Sequence, residues 1–117
     1  MVVEDDTISS YNFPEKYVDE IDEEHSIIVP PGMKLFMTFS SFDLESAVNC
    51  KYDSLRIVDI SGKQLFFDCG TRTSTILIES EKDVTITFHT DGTKEESGFK
   101  LHYKIGNIVV HSQFQCL

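Results

Sequence analysis

In Asp83-Val84-Thr85-Ile86-Thr87-Phe88-His89 every second side chain is apolar, so Val84, Ile86 and Phe88 share one face and Thr85, Thr87 and His89 the other. A period of two over this length predicts a half-buried β-strand. The same alternation recurs outward along the chain. Phe99, Leu101 and Tyr103 alternate with Lys100, His102 and Lys104, Leu55 and Ile57 alternate with Ser54 and Arg56 within 52–59, and Lys34 to Phe39 repeats the pattern. Ser26 to Val29, Gln64 to Phe67 and Thr75 to Ile78 add short apolar runs. Turn formers punctuate them at Pro30-Pro31-Gly32, Ser61-Gly62-Lys63, Cys69-Gly70, Asp91-Gly92 and Ser97-Gly98. No stretch carries a helical apolar stripe. Seven or more short strands, with no helices to cross over between parallel ones, predict an all-β fold, an antiparallel sandwich of two sheets.

The 117 residues suit a single domain, 1–117, with 106–117 breaking the alternation as a tail toward a following module. Hydrophobic residues at 40% and charged residues at 26% are ordinary globular values, and no apolar run is long enough to insert in a membrane. A net charge of −10 argues against nucleic acid and anionic membranes as partners. No apolar leader with a small-residue cleavage site opens the chain, which leaves a mature fragment, an expressed piece or a protein outside the secretory route as options. The acid is concentrated early: Glu4, Asp5, Asp6, Glu15, Asp19, Glu20, Asp22, Glu23 and Glu24 face only Lys16 before His25. Such a segment is either a solvated loop or a surface that recruits a divalent cation or a basic partner.

Cys50 and Cys69 flank the hairpin predicted around Gly62, which predicts a disulfide between them; the alternative is two buried thiols in a cytosolic protein. Cys116 is a free thiol, an intermolecular bridge or the first cysteine of a neighbouring module. Glu45 lies in a loop before a strand, Asp53 at that strand's start and Asp91 just past the end of another. Loops cluster at the ends of a sandwich, so these carboxylates can converge there, and a Ca²⁺ ion, which takes oxygen ligands, would resolve their repulsion. The alternative is three solvated turn residues. No nucleophile elbow, metal-binding helix, phosphate loop or Cys-x-x-Cys pair points to an enzyme, and His89 and His102 fall on outward strand faces.

The order of landmarks adds to this reading. Ser10-Tyr11-Asn12-Phe13-Pro14-Glu15-Lys16-Tyr17, Val29-Pro30-Pro31-Gly32, Phe42-Asp43-Leu44-Glu45, Cys50-x-Tyr52-Asp53-x-Leu55-x-Ile57, Phe67-x-Cys69-Gly70, Val84-x-Ile86-x-Phe88-x-Thr90-Asp91 and Gly98-Phe99-x-Leu101-x-Tyr103 follow one another as in CUB domains, which the chain resembles over nearly its whole length. The resemblance implies a jelly-roll-like sandwich, secreted or extracellular, that serves as a non-catalytic module, for instance of a larger secreted protease. Glu45, Asp53 and Asp91 match the carboxylates of the calcium-binding type, Tyr17 the tyrosine that orients them by hydrogen bonding, and Thr93 the loop whose backbone oxygen completes the coordination. The cysteine expected near Glu23 or Glu24 is absent together with its partner, and His25 stands where a Trp is usual. This resembles the N-terminal CUB modules of the complement-initiating serine proteases, which implies homo- or hetero-association and a protein partner, collagen-like among the options. On this reading the ion organises Glu45 and Asp91 to accept an exposed Lys or Arg of that partner, with the 19–24 run steering its approach. Two other functions stay open: a calcium-stabilised structural spacer, and a metal-independent glycan or protein binder of the seminal-fluid type.

Overall fold

A computed structural model describes residues 2–11, 13–16, 20, 22–72, 76–91 and 96–107. Nine strands account for most of them: β1 (Val2–Ser9), β2 (Asp22–Ile27), β3 (Met33–Asp43), β4 (Ser54–Asp59), β5 (Gln64–Asp68), β6 (Thr71–Arg72), β7 (Leu77–Ser80), β8 (Val84–His89) and β9 (Gly98–Asn107). One turn of 3-10 helix, Val48–Cys50, precedes β4. All pairings are antiparallel. One sheet runs β1-β9-β3-β6 with β7 also on β3, and the other runs β2-β8-β4-β5. This is the expected two-sheet jelly-roll-like sandwich.

The alternating residues form the core between the sheets. Leu35, Met37 and Phe39 of β3, Leu55 and Ile57 of β4, Val84, Ile86 and Phe88 of β8, and Phe99, Leu101, Tyr103 and Ile105 of β9 are all buried. Each such aliphatic or aromatic side chain contributes about 1.5–3 kcal/mol on leaving water. At one end Phe39, Phe42, Phe66 and Phe99 meet in ring pairs with centroids 5.1 to 6.4 Å apart, mostly edge to face.

Several expectations are corrected in detail. The acidic N-terminal segment is not simply a loop: Glu4, Asp5 and Asp6 lie in β1, and Asp22, Glu23 and Glu24 in β2. These are edge strands of opposite sheets, where carboxylates discourage pairing with another chain. Neighbouring side chains bond three of these carboxylates. Tyr103 donates to Glu4, His102 bonds Asp5, and His89 Nδ1 lies 2.5 Å from Asp22 Oδ1. β3 continues to Asp43, past a register shift between Phe39 and Ser41, and β9 takes in Gly106 and Asn107. The remainder of the expected tail, with Cys116, lies outside the described residues.

The register fixes the two ends of the sandwich. Gly98 pairs with Asp43 and Ser54 with His89, so the ends of β3 and β8 and the starts of β4 and β9 share one end. Val2 pairs with Gly106 and Met33 with Asn107 at the other end, so the first and last described residues are neighbours there.

Candidate metal centre

Each carboxylate reaches the site from the terminus of a core strand. Phe42 and Leu44 are buried on either side of Asp43 and carry β3 to Glu45, which is only 9% exposed. The Leu44 N–H donates to the Gly70 carbonyl at 2.9 Å. Gly70 has φ +79°, and a Cβ there would come within 3.2 Å of the Ser46 hydroxyl, so both the conformation and the close approach favour glycine beside Glu45. Asp53 ends the link from the 3-10 turn into β4 and is fully buried. Asp91 follows the buried Thr90 past the end of β8, and its N–H donates to Asp53 Oδ1 at 3.0 Å.

These placements bring Glu45, Asp53 and Asp91 together, with one carboxylate oxygen from each within 4.8 Å of the others. Two oxygens on one Ca²⁺ can lie at most about 5 Å apart, since each sits about 2.3–2.6 Å from the ion. The donor set therefore fits a hard cation in composition and spacing. Burial strengthens the case, because charged oxygens removed from water need a compensating positive charge or hydrogen bonds. Tyr17 and Thr93, expected to orient and complete the coordination, lie outside the described residues.

The scaffold around the carboxylates is tied in three places. Cys50 and Cys69 are bonded, with Cα atoms 5.5 Å apart, which joins the turn leading to Asp53 to the segment that holds Leu44. Asp43 accepts Thr71 Oγ1 at 3.0 Å and Ser97 Oγ at 2.9 Å, linking β3, β6 and the approach to β9. The Glu20 N–H donates to the Asp91 carbonyl at 2.8 Å, with Glu20 at φ +55°, so the acidic segment touches the site. The roles of Asp43 and Glu20 were not read from sequence. No spacing around Asp43 marks it as a brace, and Glu20 acts through its backbone, which leaves no side-chain signal. The group formed by Asp68 with Cys50 and Cys69 is of a different kind, because the bonded sulfurs offer no thiolate to a metal.

An antiparallel two-sheet sandwich with carboxylates gathered at one end defines a class, and the chain belongs to it: it is a CUB domain, with residues 2–103 matching that family. A CUB domain is a non-catalytic module. Among individual relatives, neuropilin-2 of Rattus norvegicus is 35% identical over 123 residues, covering 94% of this chain and 13% of that protein. The zinc metalloproteinase nas-39 of Caenorhabditis elegans is 31% identical over 99 residues, covering 82% and 11%. The chain thus spans only a small part of these relatives. The CUB1-EGF-CUB2 domain of human MASP-1/3 is similar in structure, with a TM-score of 0.83 at 25% identity over 93% of this chain and 44% of that one. The MASP-1 CUB2 domain bound to Ca²⁺ superposes with a TM-score of 0.73 at 27% identity, over 85% of this chain and 90% of that one.

Proposed function

We propose that this CUB domain is an extracellular, calcium-binding recognition module, which presents ion-organised carboxylates to a Lys or Arg of a partner protein. The observation that carries the reading is the meeting of Glu45, Asp53 and Asp91 oxygens within 4.8 Å, with Asp53 wholly withdrawn from solvent. A Ca²⁺-bound CUB domain among the structural neighbours supports it, as does the disulfide, a bond that persists in oxidising compartments.

Bound calcium would supply fixed positive charge and a centre about which oxygens are ordered. Asp53, being buried, serves the ion alone. Asp91 is partly accessible and is the principal acceptor for a partner's cation, with the nearly buried Glu45 contributing at its rim. An ammonium group can meet both at once, because it carries three donors on one point charge. Tyr17 orients these carboxylates by hydrogen bonding, and a Thr93 backbone oxygen completes the proposed ligand shell. The partner is a protein with an exposed Lys or Arg, collagen-like chains and a further CUB-bearing chain among them, and several modules acting together would raise a modest single-site affinity.

Calorimetric titration with Ca²⁺ tests the first half: the wild type gives a saturable isotherm and Asp53→Asn gives none. An equal isotherm for both refutes the site. The second half predicts that capture of a lysine-rich partner by wild type is lost in chelator and weakened by Asp91→Asn. The burial of Glu45 favours the spacer reading as the second choice; under it calcium stabilises the domain while partner capture is the same with and without the ion.

A further inference from the structure

On the outer face of the sheet β1-β9-β3-β6, Lys100, His102 and Lys104 stand in file along β9. Lys100 and Lys104 are exposed, and neither has an ion-pair partner among the described residues; His102 is held by Asp5, and Lys34 of β3 by Glu79 at 3.1 Å. Unpaired lysines are unexpected on a sheet face in a chain with 20 acidic and 10 basic residues. They do not guard a sheet edge, the usual use of lysine in β structure, because β9 lies between β1 and β3. Nor does strand propensity favour them.

The same face carries apolar surface. Phe36 pairs with Lys104 across β3 and β9, and is half-buried; Leu77, beside Thr38 on β7, is 57% exposed. Lys100 and Lys104 are four residues apart on one strand, which sets their Cα atoms about 13 Å apart. An extended peptide has the same rise, so carboxylates at its positions i and i+4 match the two ammonium groups, with the side chain between them level with His102 and Thr38 and able to lean toward Leu77. A long polyanion fits less well. It would overrun Lys100 toward the acidic end of the sandwich, whereas Asp5, the cross-strand partner of Lys104 on this same face, is already taken up by His102.

We infer that this face docks a short acidic segment of a partner protein in extended conformation, with two carboxylates four residues apart and an apolar residue between them. The inference is independent of the calcium reading, since none of Glu45, Asp53 and Asp91 takes part. Fluorescence anisotropy with a labelled Glu-Gly-Leu-Gly-Glu peptide and the whole 117-residue chain tests it. Wild type binds, in chelator as in calcium, and increasing salt weakens binding. The Lys100→Glu, Lys104→Glu double variant binds at least about fivefold more weakly, as loss and reversal of two exposed charges implies. The peptide Glu-Gly-Leu-Glu, whose carboxylates fall on opposite faces, also binds more weakly. A melting curve checks that the double variant is folded, and Lys104→Gln replaces it if it is not. The inference is overturned by no binding to wild type, by equal affinity in the lysine variant, by equal affinity of the two peptides, or by a heparin oligosaccharide that competes for these lysines with higher affinity than the peptide.

Discussion

Asp53 is a residue whose cost and purpose are the same physical fact. A fully buried carboxylate within 4.8 Å of two others is destabilising unless positive charge or hydrogen bonds compensate it, and the Asp91 N–H supplies one such bond. Asp53→Asn keeps an oxygen that can accept from Asp91 while removing one of the charges. Without calcium the variant should therefore equal or exceed the wild type in thermal stability. With calcium at about a hundred times its dissociation constant, the wild type should gain about 2.7 kcal/mol, roughly 10–20 °C in Tm for a domain of this size, and the variant almost nothing. Differential scanning calorimetry in calcium and in chelator measures both differences. At the far end of β4, Asp59 plays a simpler part: its carboxylate accepts the Ser61 hydroxyl at 2.5 Å and the Lys63 N–H at 3.1 Å, and these bonds, led by Ser61, hold its pKa below the ordinary value. Its contribution to stability is present above the pH at which the unfolded carboxyl titrates and is lost as pH falls through the lower, folded value.

Among the elements, β1 depends most on its partner. It is an edge strand whose Glu4, Asp5 and Asp6 have little intrinsic preference for β structure, and β9 supplies Tyr103 and His102 to meet two of them. The Tyr103 hydroxyl donates to Glu4, and that bond, with burial and the nearby Glu4 and Asp6 charges, pushes its pKa up to about 12. A folded pKa above the unfolded one means that this stabilisation is complete below about pH 10 and disappears as pH rises through about 12. Tyr103→Phe should accordingly cost about 1 kcal/mol in urea unfolding at pH 8, and the gap should close between pH 10 and 12. A constant gap across that range would mean that packing, not the hydroxyl, matters. The hairpin of β4 and β5 is bound differently, by the Cys50 and Cys69 bridge, which closes a separation of 19 residues. Its removal by Cys50→Ser, Cys69→Ser should lower unfolding stability by roughly 3 kcal/mol in the chain-entropy model. Because the bridge also joins the segments leading to Asp53 and Leu44, calcium affinity should fall in the same variant, read by titration below its melting range.

At the scale of the molecule, the parts legible in the sequence are those where one local pattern decides the outcome. Val84, Ile86 and Phe88, or Phe99, Leu101 and Tyr103, cannot be buried together except in a strand, and they announce the two central strands directly. Glu45, Asp53 and Asp91 stand at strand ends that can share a rim, but spacing equally allowed solvated turn residues, and it was the resemblance to calcium-binding CUB domains that singled them out. β1 was not legible, since its charges mask the period of two and its pairing is decided by side chains 97 to 99 positions away. The two-residue β6 was too short to carry a pattern, and it pairs only with Phe42 and Asp43. The hold of Glu20 on Asp91 is made by main-chain atoms, so no residue type signals it. With Val2 against Gly106 and the carboxylates at the opposite end, the first and last described residues share one rim of the sandwich. The acidic tip therefore stands roughly 30 Å from that rim, the length of a ten-residue strand, so anything seated against Val2 and Gly106 leaves the carboxylates uncovered.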